Sequence, residues 1–226
     1  KCLSKFNNVL VDGKKDVDVI ICGYYLQYED RTVKKEEPYR YGLYEKKDIE
    51  NDIYPCLIES DKGQSFSPAL WAKAFKRELF VSKQLNVDDR IVIAEDQACC
   101  KTIIHAANTL YLISDCLYYY RQSEKSCTRG KPVYNFDNAG MIAEYFEATF
   151  LDEDFFRPQI NRHFVHNVFN LLSSQFNNDK CTYRETKIKI IQYLEKPSVR
   201  ERIINCRYAF RNIKGNLARI ALKHKL

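Results

Sequence analysis

The sequence is poor in the residues and patterns that would mark a membrane-spanning or metal-binding protein. Its 226 residues include four histidines, one methionine and one tryptophan. No apolar run approaches the roughly 20 residues that cross a bilayer, and the first fifteen residues, KCLSKFNNVLVDGKK, lack the apolar centre of a signal peptide. These absences predict a cytoplasmic chain.

The nine cysteines are odd in number and are nowhere spaced as CxxC. We therefore predict reduced thiols that pack as small core residues. A zinc site is not expected, because the side chains of the neighbours Cys99 and Cys100 would diverge on a helix. His163 and His166 are one helical turn apart and could share a ligand, but two partly exposed helix residues are the favoured interpretation.

The composition, 45% hydrophobic and 13% aromatic, predicts a substantial core in one large or two small domains. The segment Val17 to Cys22 is apolar on both faces, which is typical of a strand inside a sheet that helices cover. Three further strands are predicted at residues 90–93, 109–113 and 117–120. We expect an α/β fold in which part of the sheet lies outside this chain.

The other apolar patterns predict helices. From Tyr44, apolar residues recur every four positions, and Pro55 predicts a break. The segment ALWAKAFKRELFVSKQL, residues 69–85, predicts a helix or a strand–helix junction. Beyond Thr128 nearly all of the chain has helical spacing, in four segments: residues 135–150, 160–176, 184–194 and 199–226.

Positive charge is concentrated at the end of the chain. Residues 200–226 contain eight Lys or Arg and one acid, Glu201, a net charge of +7, whereas the whole chain carries +6 and the first 199 residues therefore sum to −1. Phe210, Ile213, Leu217 and Ile220 form an apolar stripe in this segment. The stripe could lie on an anionic membrane or pack on the preceding helices, and the sequence leaves both open. Nucleic-acid binding is not expected, since no recognition motif accompanies the charge.

Two adjacent carboxylates, Glu95 and Asp96, stand at the start of a predicted helix. Alone, they would be interpreted as a helix cap. They lie, however, within an ordered series of segments: LWAKAFKRELF (residues 70–80), DDRIVIAEDQ (residues 88–97) and TLYLISDCLYYYRQSEKSCT (residues 109–128).

That series resembles the acceptor half of family 2 glycosyltransferases, enzymes of the GT-A fold. The resemblance covers Asp16 to Thr128 and rests on a tryptophan-and-lysine motif, an acidic pair, a tyrosine–arginine pair and a following S-x-T. In this sequence those positions are Trp71, Lys73, Phe75, Lys76, Arg77 and Glu78; Glu95 and Asp96; Tyr120 and Arg121; and Ser126, Cys127 and Thr128.

The resemblance implies a partial GT-A-like mixed sheet flanked by helices. It also implies two domains: residues 1–130, the acceptor-binding half without its N-terminal nucleotide-binding part, and residues 131–226, a mostly helical extension with a basic amphipathic tail.

Residue roles follow from the same resemblance. Asp96 would be the catalytic base and Glu95 would shape the acceptor site. Arg121 and Ser126 would contact the donor diphosphate or the loop that closes over it. Lys73 and Trp71 belong to the implied substrate-binding set, although packing in the core is an equally good interpretation of Trp71.

The sequence departs from the family pattern in two places. The DxD motif that holds Mn²⁺ or Mg²⁺ in such enzymes has no counterpart, because the DVD at residues 16–18 comes just before the buried strand. We therefore expect the main metal ligands to lie outside this chain. Many relatives also carry a histidine where this chain has Ser123.

The function implied is inverting transfer of a sugar from a nucleotide-sugar donor to a saccharide or lipid-linked acceptor during cell-surface polysaccharide synthesis. The expected location is the cytoplasm, at the inner face of the plasma membrane, with residues 200–226 on anionic lipid. The chain alone is expected to be inactive without its donor half. The alternative is a noncatalytic interaction or membrane-docking module derived from such an enzyme.

Overall fold

The computed structural model describes residues 2–11, 16–122, 135–150, 154–176, 181–209 and 211–225. The chain divides into two units, each of which we describe by itself. Unit 1 consists of Lys1–Leu57, Phe66–Val87 and Glu95–Ser126, and unit 2 consists of Ile58–Ser65, Asp88–Ala94 and Cys127–Leu226.

Unit 1 is a mixed sheet accompanied by helices. Its strands are β1 (Val19–Gln27), β2 (Thr32–Lys35), β3 (Gly42–Glu45), β4 (Lys73–Phe75) and β5 (Thr109–Arg121), and its helices are α1 (Cys2–Val11), α2 (Lys46–Asp48), α3 (Arg77–Gln84) and α4 (Glu95–Ala106). The strand order is β2-β1-β5-β3, and β4 also pairs with β1. Only the β1–β5 pairing is parallel. The prediction of an α/β fold is confirmed at this level.

The predicted buried strand is the centre of this sheet. Val19, Ile20, Ile21 and Cys22 are all buried in β1, which begins two residues later than predicted and continues to Gln27. β5 lies on one side of β1, while β4 and β2 lie on the other. Ile20 and Cys22 pack in one core cluster with Phe6 and Val9 of α1, so a helix covers this face of the strand.

The two strands predicted at 109–113 and 117–120 form one long strand, β5. The register against β1 shifts between them: Ile21 pairs with Leu112, whereas Gly23 pairs with Cys116. A bulge therefore accommodates the polar residues Ser114 and Asp115, which interrupt the apolar pattern in the sequence.

The strand predicted at residues 90–93 is wrong. Arg90 bonds to the carboxylate of Asp88 through both its backbone N–H and its guanidinium, which folds this segment of unit 2 into a turn. The N–H groups of Val92 and Ile93 donate to Oδ1 of Asn138, and the Ile93 carbonyl accepts from its Nδ2. One amide side chain thus supplies the hydrogen bonds that a neighbouring strand would have provided.

The helix predicted from Tyr44 begins instead at Lys46, because Tyr44 and Glu45 belong to β3, while the break predicted at Pro55 is confirmed. α2 continues into a π-helical turn at Ile49–Ile53 and a 3₁₀ turn at Tyr54–Cys56, which contains Pro55. The strand–helix junction predicted for residues 69–85 is also present, as β4 followed by α3.

Unit 2 is helical in its described part. Its helices are α5 (Asp137–Thr149), α6 (Arg157–Gln175), α7 (Tyr183–Glu195), α8 (Pro197–Asn205) and α9 (Ile213–His224). The side chains of Phe146, Phe156 and Phe164 are fully buried at its centre. Thr182 and Glu185 form a reciprocal cap at the start of α7.

The single helical segment predicted from Val199 to Leu226 is instead two helices. The backbone of Cys206 is extended and ends α8, and the Asn212 side chain accepts a hydrogen bond from the N–H of Gly215 at 3.0 Å to start α9. Phe210, the first residue of the predicted stripe, lies outside the described residues.

Part of the basic tail is neutralised within unit 2. Arg202 makes a bidentate ion pair with Glu147, with N–O distances of 2.5 and 2.7 Å, and Lys225 pairs with Glu195 at 2.5 Å. In the part of the chain that the structure describes, no helix combines the length and apolarity that a bilayer crossing requires.

We expected both helix histidines to be partly exposed, but only His166 is exposed. His163 is buried, with its ring edge-on to Phe146 and both ring nitrogens 3.2 Å from Nδ2 of Asn167. Nδ1 of His166 lies 3.2 Å from Oε2 of the buried Glu59.

The contact with Glu59 predicts how His166 titrates. The hydrogen bond favours the imidazolium and raises the pKa of His166 above its ordinary value of 6.5. Stability from this pair is complete below the unfolded-state pKa and is lost as the pH rises through the folded-state pKa. We expect an NMR titration to place the His166 pKa above 6.5 and Glu59→Gln to lower it. A pKa of 6.5 or less in the unaltered chain would contradict this.

Candidate active site in unit 1

Asp96 lies in the first turn of α4, where the sequence predicts a catalytic carboxylate. Its side chain is half-buried, and Oδ1 accepts a hydrogen bond from the N–H of Gln97 at 2.7 Å. Glu95, the first residue of the helix, is exposed to solvent. The acidic pair therefore presents one shielded carboxylate and one solvated carboxylate.

The backbone just before this helix has an unusual conformation. Ala94 has a φ of +63°, in the left-handed region that costs a residue with a side chain about 1–2 kcal/mol. Such strained conformations persist only where the surrounding structure holds the backbone in place. They cluster at functional sites. The turn sets the point at which α4 begins and thus the position of Asp96.

Burial raises the pKa of Asp96 above its ordinary value, and the negative charge of Glu95 adds to this effect. The N–H of Gln97 and the ammonium of Lys101 lower the pKa of Asp96, but by less than burial raises it. A helix start favours the ionised form of a carboxylate, but burial has the larger effect on Asp96. A carboxylate with a raised pKa is a stronger base, which suits proton abstraction.

α4 also carries a lysine that sequence reasoning missed. Lys101 is fully buried, and its Nζ donates to the carbonyl of Leu57 at 2.9 Å. The signal was present, because this lysine interrupts the apolar run ACCKTII at residues 98–104, every residue of which is buried. A buried ammonium needs acceptors, and their positions constrain where α4 lies.

Lys73, predicted to contact substrate, is buried in β4. Its Nζ donates to the carbonyl oxygens of Ser67 at 3.1 Å and Ala69 at 2.7 Å and lies 5.4 Å from the centre of the Phe66 ring. In this geometry the ammonium holds the loop before β4.

Four charged groups, Lys73, Lys101, Glu37 and Asp96, act electrostatically on the Cys100 thiol, and we call them the charged cluster. Burial raises the pKa of the Cys100 thiol; Lys73 and Lys101 oppose that rise, while Glu37 and Asp96 reinforce it. The pKa of Glu37 is raised by its own burial despite the two lysines. A thiol with a raised pKa is a poor nucleophile, so Asp96 and Glu37 are the groups in this cluster suited to accepting protons.

Trp71 packs within an aromatic cluster of unit 1. Its indole ring stacks on Tyr118 at 4.5 Å and Tyr120 at 4.9 Å between ring centres, and Tyr24 meets it edge-on at 4.8 Å. Side chains alternate faces along a strand, so Tyr119 faces the other side of β5, where it stacks on Tyr25. Three tyrosine contacts favour the packing interpretation of Trp71 over stacking on a sugar.

The remaining predicted residues lie near the end of β5. Arg121 is the last residue of that strand and is exposed, opposite Gln27 in the parallel register. Ser126 lies outside the described residues, as do Ser123, Cys127 and Thr128. The described residues therefore include Asp96, Lys73 and Arg121 but not Ser126, so the predicted diphosphate-binding set is described only in part.

The described residues do not fit a divalent metal, since no group of three His, Cys, Asp or Glu among them could hold one. The DVD segment has another role. Asp18 is buried, and its Oδ2 accepts from the N–H groups of Asn108 and Thr109 at 2.7 and 3.2 Å, whereas Asp16 pairs with Lys76 at 2.7 Å. The Asp18 carboxylate therefore positions the start of β5, and the Asp16 carboxylate holds Lys76 just before α3.

Comparison with protein-family models, curated proteins and solved structures finds no match to this chain.

Proposed function

We propose that this chain supplies the acceptor side of a glycosyl-transfer enzyme, with Asp96 as its base. The observation that carries the proposal is the half-buried carboxylate of Asp96, whose pKa is raised by burial at the strained start of α4. The motif resemblance supplies the reaction class, and the charged cluster around this carboxylate supports a chemical role for it.

In this mechanism the acceptor hydroxyl attacks the anomeric carbon of the donor sugar. The new C–O bond forms while the bond to the diphosphate breaks, and the bonding electron pair leaves with the diphosphate. The hydroxyl proton passes to the carboxylate of Asp96. Attack from the face opposite the leaving group inverts the anomeric centre.

The other residues position the elements of the site or are suited to stabilise the leaving diphosphate. Lys101 fixes α4 through the Leu57 carbonyl, and Lys73 holds the loop that precedes β4. The exposed guanidinium of Arg121 is suited to contact phosphate oxygens. No step is assigned to a metal, because the described residues do not fit one.

Sugar transfer is the direct test. The chain, joined to the nucleotide-binding half of such an enzyme, is assayed with UDP-, GDP- and dTDP-sugars, Mn²⁺ or Mg²⁺, and bacterial saccharide and lipid-linked acceptors. Transfer that requires this chain supports the proposal. Equal transfer by the nucleotide-binding half alone would overturn it.

The second candidate, docking on a membrane, is favoured by the exposure of α9. Its apolar residues Ile213, Leu217 and Ile220 are 68%, 61% and 40% exposed, so they do not pack on preceding helices as one interpretation of the stripe required. At 3.6 residues per turn, Lys214 and Lys223 flank the stripe on either side, and both are exposed. An apolar stripe between cations is complementary to an anionic lipid surface.

We expect the double substitution Ile213→Ser with Leu217→Ser to weaken binding of the chain to vesicles containing anionic phosphatidylglycerol by about tenfold or more. The measurement is vesicle co-sedimentation at low and high salt. Ile188→Ser, at an exposed apolar position on α7, is the matched control and should leave binding unchanged. Equal binding by the double variant and the unaltered chain would eliminate α9 as the docking element.

A further inference from the structure

Unit 2 contains a cleft of about 380 Å³. Its lining comes from the segment Ile58–Ser65, from α6, from the stretch between α8 and α9, and from the first turns of α9. This volume lies within the range of sites that bind small molecules. The cleft is separate in sequence from every residue assigned above to sugar transfer.

A buried carboxylate with spare hydrogen-bonding capacity lines this cleft. The Glu59 side chain is 5% exposed, and its Oε2 faces Nδ1 of His166 at 3.2 Å. Its Oε1 lies 3.4 Å from the Tyr208 hydroxyl, but that hydroxyl also donates to the carbonyl of Arg162 at the shorter distance of 2.9 Å. Because tyrosine has one proton to donate, Oε1 is left able to accept a strong hydrogen bond from a ligand.

His166 adds a second polar group. Its Nδ1 faces Glu59, so Nε2, on the far side of the ring, is the nitrogen that can reach a ligand. The side chain is 58% exposed and can be approached from solvent. Together Glu59 and His166 are suited to a hydroxyl group, which can donate a hydrogen bond to the Glu59 carboxylate and accept one from Nε2 of His166.

Two lysines give the cleft its positive charge. Lys62 and Lys214 both line it and are exposed, and neither forms an ion pair with an acid in the described ranges. Phe169 and Tyr208 supply aromatic surface between the polar groups. The start of α9 is not the source of anion affinity, because Asn212 already accepts from the N–H of Gly215.

We propose that this cleft binds a small phosphorylated polyol, with its phosphate on Lys62 and Lys214 and a hydroxyl on Glu59 and His166. The two lysines are complementary to an anion, and the open acceptor on Glu59 is complementary to a hydrogen-bond donor on the same molecule. A sugar phosphate combines both within the available volume. The proposal does not depend on the sugar-transfer function.

The test is calorimetric titration of the full chain with glucose 6-phosphate, inorganic phosphate and glucose. We expect glucose 6-phosphate to bind saturably and about tenfold more tightly than inorganic phosphate, because only it satisfies both ends of the cleft. Lys62→Gln and Lys214→Gln should each weaken its binding about tenfold. Lys187→Gln, at an exposed position on α7, is the matched control and should have no effect.

Substitutions of the polar pair test the hydroxyl contact. His166→Ala should remove the preference for glucose 6-phosphate over inorganic phosphate, and Glu59→Gln, which replaces a charged acceptor by a weaker neutral one, should reduce it; both should leave phosphate binding intact. If Glu59→Gln does not fold, the exposed His166 still provides the test. Absence of saturable binding, equal affinity for both anions in the unaltered chain, or binding unaffected by both lysine substitutions would overturn the proposal.

A phosphorylated polyol can be a soluble metabolite or the headgroup of a lipid. Vesicles containing phosphatidylglycerol distinguish these sources once glucose 6-phosphate is shown to bind. Competition between vesicles and sugar phosphate that persists in the double variant Ile213→Ser with Leu217→Ser would assign the site to the headgroup, and independent binding would assign it to a soluble molecule. Both results require that the cleft recognise this chemical class.

Discussion

Asp96→Asn is expected to lower sugar transfer by about 100-fold or more, or roughly 2.7 kcal/mol in activation free energy, when this chain acts together with a nucleotide-binding half. Asparagine has nearly the same size, and its amide oxygen can still accept the hydrogen bond from the N–H of Gln97. It cannot take a proton from the acceptor hydroxyl. The measurement is the initial rate at saturating donor and acceptor, where loss of a base reduces kcat.

Two comparisons make this result specific to the base. Asp115→Asn, at a surface carboxylate of unit 1 that pairs with Lys5, should leave the rate unchanged. The unaltered enzyme should also lose activity as the pH falls through the raised pKa of Asp96, because the protonated acid cannot act as a base. Asp96→Asn should lack that acid limb. Undiminished turnover by this variant would remove Asp96 from the mechanism.

Lys101→Ala is expected to lower the free energy of unfolding of unit 1 by about 3 kcal/mol. The substitution empties space at a fully buried position and leaves the carbonyl of Leu57 without the donor at 2.9 Å. It also removes a positive charge that favours the ionised forms of Asp96 and Glu37. Urea denaturation followed by tryptophan fluorescence reports on unit 1, since the single tryptophan of the chain, Trp71, lies there.

Two variants distinguish the contributions to this loss. Lys101→Met keeps most of the side-chain volume but not the donor, so it should fall between the unaltered chain and Lys101→Ala. Lys47→Ala, at an exposed lysine of unit 1, should change the stability by less than about 0.5 kcal/mol. A Lys101→Ala chain as stable as the control would show that the buried ammonium contributes nothing to the fold.

Local patterns were sufficient for most secondary structure. The run of apolar residues through Cys22 identified the central strand, because a strand is apolar on both faces where other elements cover both faces of its sheet. The spacing of Ile49, Ile53 and Leu57 identified the irregular helix, and Pro55 its break. These are short-range properties of the chain, determined by side-chain periodicity and backbone restriction.

The patterns failed where the deciding contact was distant in sequence. Residues 90–93 have the composition of a strand, but Asn138, more than forty positions away, supplies their hydrogen bonds and no strand forms. The polar pair Ser114 and Asp115 suggested two strands, whereas pairing along β1 joins them through a bulge. Neither partner can be inferred from the segment itself.

For the candidate sites, the sequence by itself placed Asp96 at a helix start and the apolar stripe on α9, because both depend on spacing along one helix. Only the tertiary structure decided that Asp96 is half-buried, that the stripe is exposed, and that Glu59 meets His166 and Tyr208 in a cleft. Burial and pairing between distant residues determine pKa values and ligand access, and these depend on which segments pack together. The pKa values and ligand access of both candidate sites therefore follow from packing, whereas the sequence by itself gives only the identity and local spacing of their residues.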